Sequence, residues 1–322
     1  MMLAFTDRTP RRSATVARVT NALASTRSAS RAVAVKVLPR SVKRRLRALP
    51  LVGRAAGRAG GRAPSAPRNP SHIPTDHARQ IHSHYYIEEA MTGPNPPRTV
   101  VDLGCGNGAS AELFRQWQPD VNWIGVDIQD SDLAKGIVGE KVFLYDGVNL
   151  PFPDDTVPLL YTNQVFEHVR YPEPLLREIR RVLAPGGVFI GSTSQLEPYH
   201  AFSLWGGYTI YGWRTLCEAA GLVLEEARPS IDAIALITRV YEGAEPRHNA
   251  WWTLSPLNED IDAWAERTGA DVATTNARKL QFSGQFAFRV RKPATGSALA
   301  RATRARRRLG LTLLRAGERL VS

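Results

Sequence analysis

The chain of 322 residues has only two cysteines, Cys105 and Cys217. With so few, no disulfide framework is expected. Neither follows a proline, which argues against a Pro-Cys nucleophile of the kind that attacks cytosine C5. Long apolar runs are also missing. No stretch approaches the roughly 18 apolar residues that a membrane-spanning helix needs. The first residues lack the uninterrupted apolar core of a secretory signal. Acids are nearly absent from both ends. Residues 1–72 carry sixteen Arg/Lys against one acid, Asp7, and residues 289–322 carry ten against one, Glu318. The net charge of +12 therefore belongs to the ends, because residues 73–288 hold sixteen basic and twenty-eight acidic residues. An acidic middle argues against a nucleic-acid-gripping face there.

The same counts divide the chain. Residues 1–71 read as a basic, Arg/Ala-rich extension, and its Gly- and Pro-containing stretch from Gly53 to Pro70 reads as a linker. Within it, Val33, Val37, Leu38, Val42, Leu46 and Leu49 recur at helix-like spacing among basic residues. That pattern suits an anionic membrane surface, although Pro39 interrupts it and a solvated basic tail is the plainer reading. Residues 293–322 form a second basic tail. The catalytic candidate is the segment 72–292, in which 231–283 is an insertion expected to act as a lid or as a substrate or oligomer element.

Within that segment, Val100-Val101-Asp102-Leu103 is a short apolar run reaching an acid. It breaks into Gly104-Cys105-Gly106-Asn107-Gly108, and a helix is expected from Ala109. Alternating glycines permit positive φ and close approach of backbone to a ligand. In an open α/β sheet such a turn, at the carboxyl end of the first strand, holds a nucleotide-like cofactor. The spacing is G-x-G-x-G rather than the dinucleotide G-x-G-x-x-G. A carboxylate placed by Asp102 at the mouth of the turn repels a pyrophosphate and suits a cationic ligand. The segment 121–127 is a second strand ending in Asp127, 19 residues after Gly108, near the spacing at which an acid meets a ribose diol. Strands follow at 141–145, before Asp146-Gly147, and at 157–163, where Pro158 makes the start uncertain. Leu175, Leu176, Ile179, Val182 and Leu183 mark a helix face. Ala184-Pro185-Gly186-Gly187 is expected to end that helix ahead of a fifth strand at 188–192. A helix at 213–220 and strands at 222–227 and 284–290 complete the pattern.

Asp102-Leu103-Gly104-Cys105-Gly106-Asn107-Gly108, Asp127, Asp146 and the string LREIRRVLAPGGVFI together resemble class I S-adenosylmethionine (SAM)-dependent methyltransferases, and in particular the type 11 group. The likeness is strong over about 98–228, weak over 284–291 and absent from the tails. It implies a doubly wound, seven-stranded, mostly parallel α/β sheet with an antiparallel last strand, and SAM as cofactor. Under that resemblance Asp102, Gly104, Cys105, Gly106, Asn107 and Gly108 form the cofactor turn. Asp127, with Ile128 beside it, binds the ribose hydroxyls. Asp146 and Gly147 meet the adenine, Asn163 and Gln164 line the cofactor after the fourth strand, and a helix built on Ile81, Tyr85, Ile87 and Met91 closes over it, with Tyr85 against the cofactor.

Methyl transfer to a hydroxyl calls for a general base, and His200 and His168 are the candidates. His168 follows the fourth strand; His200 lies in an aromatic-rich loop with Glu197 and Tyr199. That loop suits a flat or sugar-like acceptor. Asn163-Gln164-Val165-Phe166 lacks the Pro-Pro-aromatic motif of enzymes that methylate base amino groups. His72, His77, His82 and His84 crowd one stretch, but no cysteine accompanies them and methyl transfer from SAM needs no metal, so no metal site is expected. The expected acceptor is a small molecule, a sugar or a lipid-linked glycan, methylated on oxygen. The expected setting is cytoplasmic, with peripheral contact to an anionic membrane through the basic tails. The rival readings are an RNA or protein methyltransferase gripping through those tails, and a non-catalytic SAM-binding scaffold.

Overall fold

The computed structural model describes residues 72–82, 84–200 and 205–294. The expected basic extension and C-terminal tail lie almost wholly outside these residues. Seven strands form one sheet: β1 (Thr99–Leu103), β2 (Asn122–Ile128), β3 (Lys141–Tyr145), β4 (Val157–Asn163), β5 (Leu183–Ser194), β6 (Val223–Pro229) and β7 (Gln285–Arg291). Their order is β3-β2-β1-β4-β5-β7-β6, and only β7 runs antiparallel to its neighbours. The order reverses direction between β1 and β4. In open α/β sheets a ligand crevice opens at such a point, beyond the carboxyl ends of the strands.

Strand alternation divides the core. Val101 and Leu103 of β1 point to one side, where helices α4 (Pro172–Val182) and α5 (Ile210–Ala220) pack. Val100 faces the other side, among residues of α1 (Tyr85–Thr92) and α2 (Ser110–Arg115). On α4 the expected apolar residues Leu175, Leu176, Ile179 and Val182 are all buried. Burying side chains of this size contributes about 1.5–3 kcal/mol each relative to exposure. Thr209 caps α5 by accepting from Gly212 N–H, and Gly221 ends it in the left-handed conformation. A short α3 (Asp132–Lys135) links β2 to β3.

Two expectations are corrected here. Ala184-Pro185-Gly186-Gly187 does not separate helix from strand; it lies within β5 as a bulge. Val157 pairs with Leu183 and Leu159 with Val188, so the four residues between have no partner on β4. Pro158 has no N–H to donate to a ladder, which lets the facing strand loop out. The helix expected to begin near Ile81 begins at Tyr85 instead. Ile81 N–H is taken by the Pro229 carbonyl (3.0 Å), which holds that stretch extended.

The insertion is helical: α6 (Ala233–Tyr241), a 3-10 segment (Pro246–Trp252), α7 (Pro256–Thr268) and α8 (Val272–Gln281). It is bonded to residues 72–82. Gln80 donates to the carbonyls of Trp251 and Trp252 and accepts from Ser255 and Asn258, while Asn276 donates to Pro74 and His77 carbonyls. Lys279, fully buried, reaches the Ala78 carbonyl and the Asp262 carboxylate, both at 2.6 Å. These side-chain amides and the ammonium satisfy backbone carbonyls that no ladder reaches.

Candidate cofactor and active site

The glycine turn is anchored to β2: Gly104 and Cys105 N–H both donate to the Val126 carbonyl (2.7 and 3.2 Å). Gly104, Gly106 and Gly108 all have positive φ. A Cβ on Gly104 would overlap the Val165 side chain, so β1 and the end of β4 touch there with no room for a methyl group. A Cβ on Gly106 would meet nothing within 4 Å, so the turn is open on that side. Gly106 N–H donates to Asp127 Oδ2 and Ile128 N–H to Asp127 Oδ1, each at 2.8 Å. Each carboxylate oxygen keeps a second lone pair for a hydroxyl donor. Ile128 is exposed beside it. Asn107 Oδ1 accepts from Ala109 N–H (3.2 Å), turning the chain into α2. Cys105 is buried against Gly125, and burial next to two acids pushes its thiol up to about 12.

Asp102 departs from its expected place. Its side chain is buried and accepts from Ser110 Oγ, which in turn accepts from Trp123 Nε1 (2.9 Å). Because it sits between Val101 and Leu103, pleating sends it under α2 rather than to the mouth of the turn. Burial raises its pKa to about 7, against the opposing effect of the Ser110 bond. Asp146 is exposed but tied into its own loop: Oδ1 accepts from Val148 and Asn149 N–H, and Oδ2 from Asn149 Nδ2, which holds its pKa below the ordinary value. Gly147, with positive φ, has open space around it. Tyr85 is not brought to the turn. Its ring lies edge-on to His77 (5.7 Å) and beneath Arg228 of β6 (5.0 Å), on the far side of the sheet order from β2. Arg228 is held there by Asp76 and Glu226.

The end of β4 carries a second irregularity. Gln164 has φ +54, costly for a residue with a Cβ and a pointer to a functional position. Its N–H and Nε2 are bound to the carbonyl and hydroxyl of Ser192, and Asn163 Oδ1 accepts from the same hydroxyl (2.7 Å). Gln164 Oε1 is buried with no hydrogen-bond partner, an acceptor awaiting a donor. These features fit a ligand rich in hydroxyl and amino donors seated between the β1 turn and the β4 end.

Beyond β4 and β5 lies a titratable cluster. The rings of His168 and His200 meet edge-to-face at 5.2 Å. His200 Nδ1 is 3.0 Å from the Pro198 carbonyl. A carbonyl only accepts, so Nδ1 carries the proton in the neutral ring and Nε2 keeps the lone pair. Glu167, overlooked at the level of sequence, is almost wholly buried; Oε2 accepts from Thr193 Oγ1 (3.0 Å) and Oε1 has no partner. Burial first, and the Glu197 charge second, raise its pKa to about 7. Among the described residues no group of three or more His, Cys, Asp or Glu is placed to hold a metal ion.

Residues 101–191 match the family model described as a methyltransferase domain, type 11. The sterol 24-C-methyltransferase of Gibberella zeae is 32% identical over 123 residues, 35% of this chain and 32% of that protein. Norajmaline N-methyltransferase of Rauvolfia serpentina is 31% identical over 119 residues, 32% of this chain and 41% of that one. The chain thus spans less than half the length of these relatives. Among solved structures, an O-methyltransferase from a Brevibacillus brevis polyketide synthase, in complex with S-adenosylhomocysteine, is 17% identical with a TM-score of 0.44, covering 69% of this chain and 75% of that one. Motif, strand order and family model define the class: the chain carries a class I SAM-dependent methyltransferase domain. Within it, residues 101–191 run from the first strand through most of the fifth and include the cofactor turn, Asp127, Asp146 and the β4 end.

Proposed function

We propose that this protein transfers a methyl group from SAM to an oxygen of a small-molecule, sugar or lipid-linked glycan acceptor. When bound, SAM supplies a methyl group on a sulfonium, set for direct displacement by a nucleophile in line with the carbon–sulfur bond. The residues that would hold it are the 104–108 turn, Asp127 and Gln164. Asp127 offers acceptors to a diol, and Gln164 Oε1 offers one more. The observation that carries the oxygen acceptor is the His200–Pro198 contact. It fixes the tautomer with Nε2 as a base, as removal of a hydroxyl proton requires. His168 buttresses the ring from the side. The two relatives above bear names that put the methyl group on carbon and on nitrogen, and the solved structure's name puts it on oxygen. The choice of oxygen therefore rests on this chain's own residues.

The test is calorimetric binding of SAM followed by turnover on a panel of hydroxyl and amine acceptors, with His200→Ala beside the parent. His200→Ala should bind SAM with unchanged affinity and lose about 100-fold or more in turnover, the scale of general-base catalysis. Unchanged turnover removes His200 as base, and NAD binding tighter than SAM removes the whole reading.

A further inference from the structure

The outer face of α6 is apolar. Ile234, Ile237 and Tyr241 fall at i, i+3 and i+7, with Val240 beside them, and all four are 52–89% exposed. The inner face of the helix, Ala235 and Leu236, is already buried with Ile231 against Trp251 and Trp252. A helix apolar on both sides has one face without a partner. This face does not stand alone. Ala233 N–H donates to the Phe282 carbonyl and Leu196 N–H to the Gly284 carbonyl, which stitches exposed Phe282 and exposed Leu196 to the start of α6. Leu196 leads through Tyr199 to His200. An exposed apolar ridge therefore runs from the proposed base outward along α6.

The cations beside the ridge have an unusual setting. Arg239, on α6 itself, stacks over Trp252 (5.0 Å), and its nearest polar contact is Asn249 at 3.4 Å. Arg170, two residues after His168, stacks over both Tyr171 (5.3 Å) and Trp205 (5.1 Å), which are themselves exposed. Among the described residues neither arginine pairs with a carboxylate. The acids just after α6, Glu242 and Glu245, are engaged by Arg247. Arginine and aromatic rings beside an exposed aliphatic stripe are what an anionic lipid interface takes up. The apolar groups enter the headgroup boundary and the guanidinium meets phosphate. The rest of the chain agrees in sign: residues 1–71 hold sixteen basic residues against one acid, and residues 295–322 hold seven against one. A second copy of the chain would cover apolar area equally well. It would not answer unpaired arginines with negative charge, since the same face on the copy carries the same arginines.

We propose that this ridge docks on an anionic lipid surface and that the acceptor, on the reading given above, is a lipid-anchored molecule taken from that surface by the His200 loop. Full-length protein is compared with Ile234→Ser/Ile237→Ser/Tyr241→Ser by co-sedimentation with vesicles of phosphatidylcholine alone or containing about 30% phosphatidylglycerol. Solution mass is measured by light scattering and SAM affinity by calorimetry. The parent should sediment with the anionic vesicles. The triple variant should partition about tenfold or more weakly although both basic ends are intact, and should keep its SAM affinity. Equal partitioning of parent and variant overturns the proposal, because the ends alone would then account for binding. So does a parent that ignores anionic vesicles. A dimer that falls apart in the variant assigns the ridge to a second copy and overturns it too. A parent that binds vesicles but not SAM leaves the docking surface standing and overturns the methyl-transfer reading on which the acceptor rests.

Discussion

Glu167 makes the site's electrostatics measurable without any acceptor. Its carboxyl keeps its proton to about pH 7 in the folded chain, against an ordinary value of 4.5. In between, the folded state binds a proton that the unfolded state has released, so stability falls as pH rises through that window. Below about pH 4.5 both states are protonated and the effect vanishes; above about pH 7 it is complete, at about 3 kcal/mol. Glu167→Gln removes the ionisation and preserves the shape. Its amide oxygen can accept from Thr193 Oγ1 as Oε2 does now, and its NH2 faces a cluster in which Glu197 Oε1 is buried and lacks a donor. The variant should match the parent in urea unfolding near pH 4 and exceed it by about 2–3 kcal/mol near pH 8. Asp102, raised from 3.8 to about 7 by its own burial, acts over an overlapping range in both proteins. The parent's slope should therefore be roughly halved rather than abolished. A stability difference that is the same at both pH values would refute the argument, since the substitution would then act through packing and not through a withheld proton.

Other expectations follow from the turn and its partners. Gly104→Ala must overcome both a positive φ and the Val165 side chain, so thermal unfolding should show a loss of about 2 kcal/mol or more together with lost SAM binding. Gly106→Ala meets no neighbour within 4 Å, so its stability loss should stay near the 1 kcal/mol or so of the backbone term, while calorimetric SAM affinity falls about tenfold or more. Asp127→Ala removes the acceptor for Gly106 and Ile128 N–H and should abolish SAM binding; parent-like affinity would take Asp127 out of the site. Lys279→Met leaves the Ala78 carbonyl without its donor, while half-exposed Asp262 can turn to water, and should lower unfolding stability by about 1–2 kcal/mol.

The first three strands are legible because each is a short apolar run reaching an acid, and a buried parallel strand has little else to show. The turn was legible because three glycines at alternate positions have few other uses. What pleating and local bonding decide was harder to read. Nearness to the turn points Asp102 at its mouth, yet the alternation Val101–Asp102–Leu103 already sends it to the opposite face, and Ser110 waits there at the start of α2. Asp146 had its own signal in Asn149 three residues on, a side chain able to tie the loop to the carboxylate. For Tyr85 the helical period was right but the starting residue was not, and the carbonyl of Pro229 that holds Ile81 extended lies 148 positions away in the chain. Glu167 carried no local signal, because its burial is made by Thr193, Trp205 and Tyr208 closing from other segments.

The same reasoning explains why the donor side of the site is easier to read than the acceptor side. The proposed SAM site is built from the ends of three neighbouring strands and the turns that follow them, all within 102–165, so spacing along the chain stands in for distance. The proposed acceptor side is assembled from 166–170, 195–200, α6 and the turn before β7. These pieces meet only because β7 inserts antiparallel between β5 and β6 and brings Gly284 against Gln195 and Leu196. No periodicity in any one of them encodes that meeting. Its consequence is chemical: the loop holding His200 and the helix holding the exposed apolar stripe share one backbone junction. A change in what covers α6 therefore bears directly on the position of the proposed base.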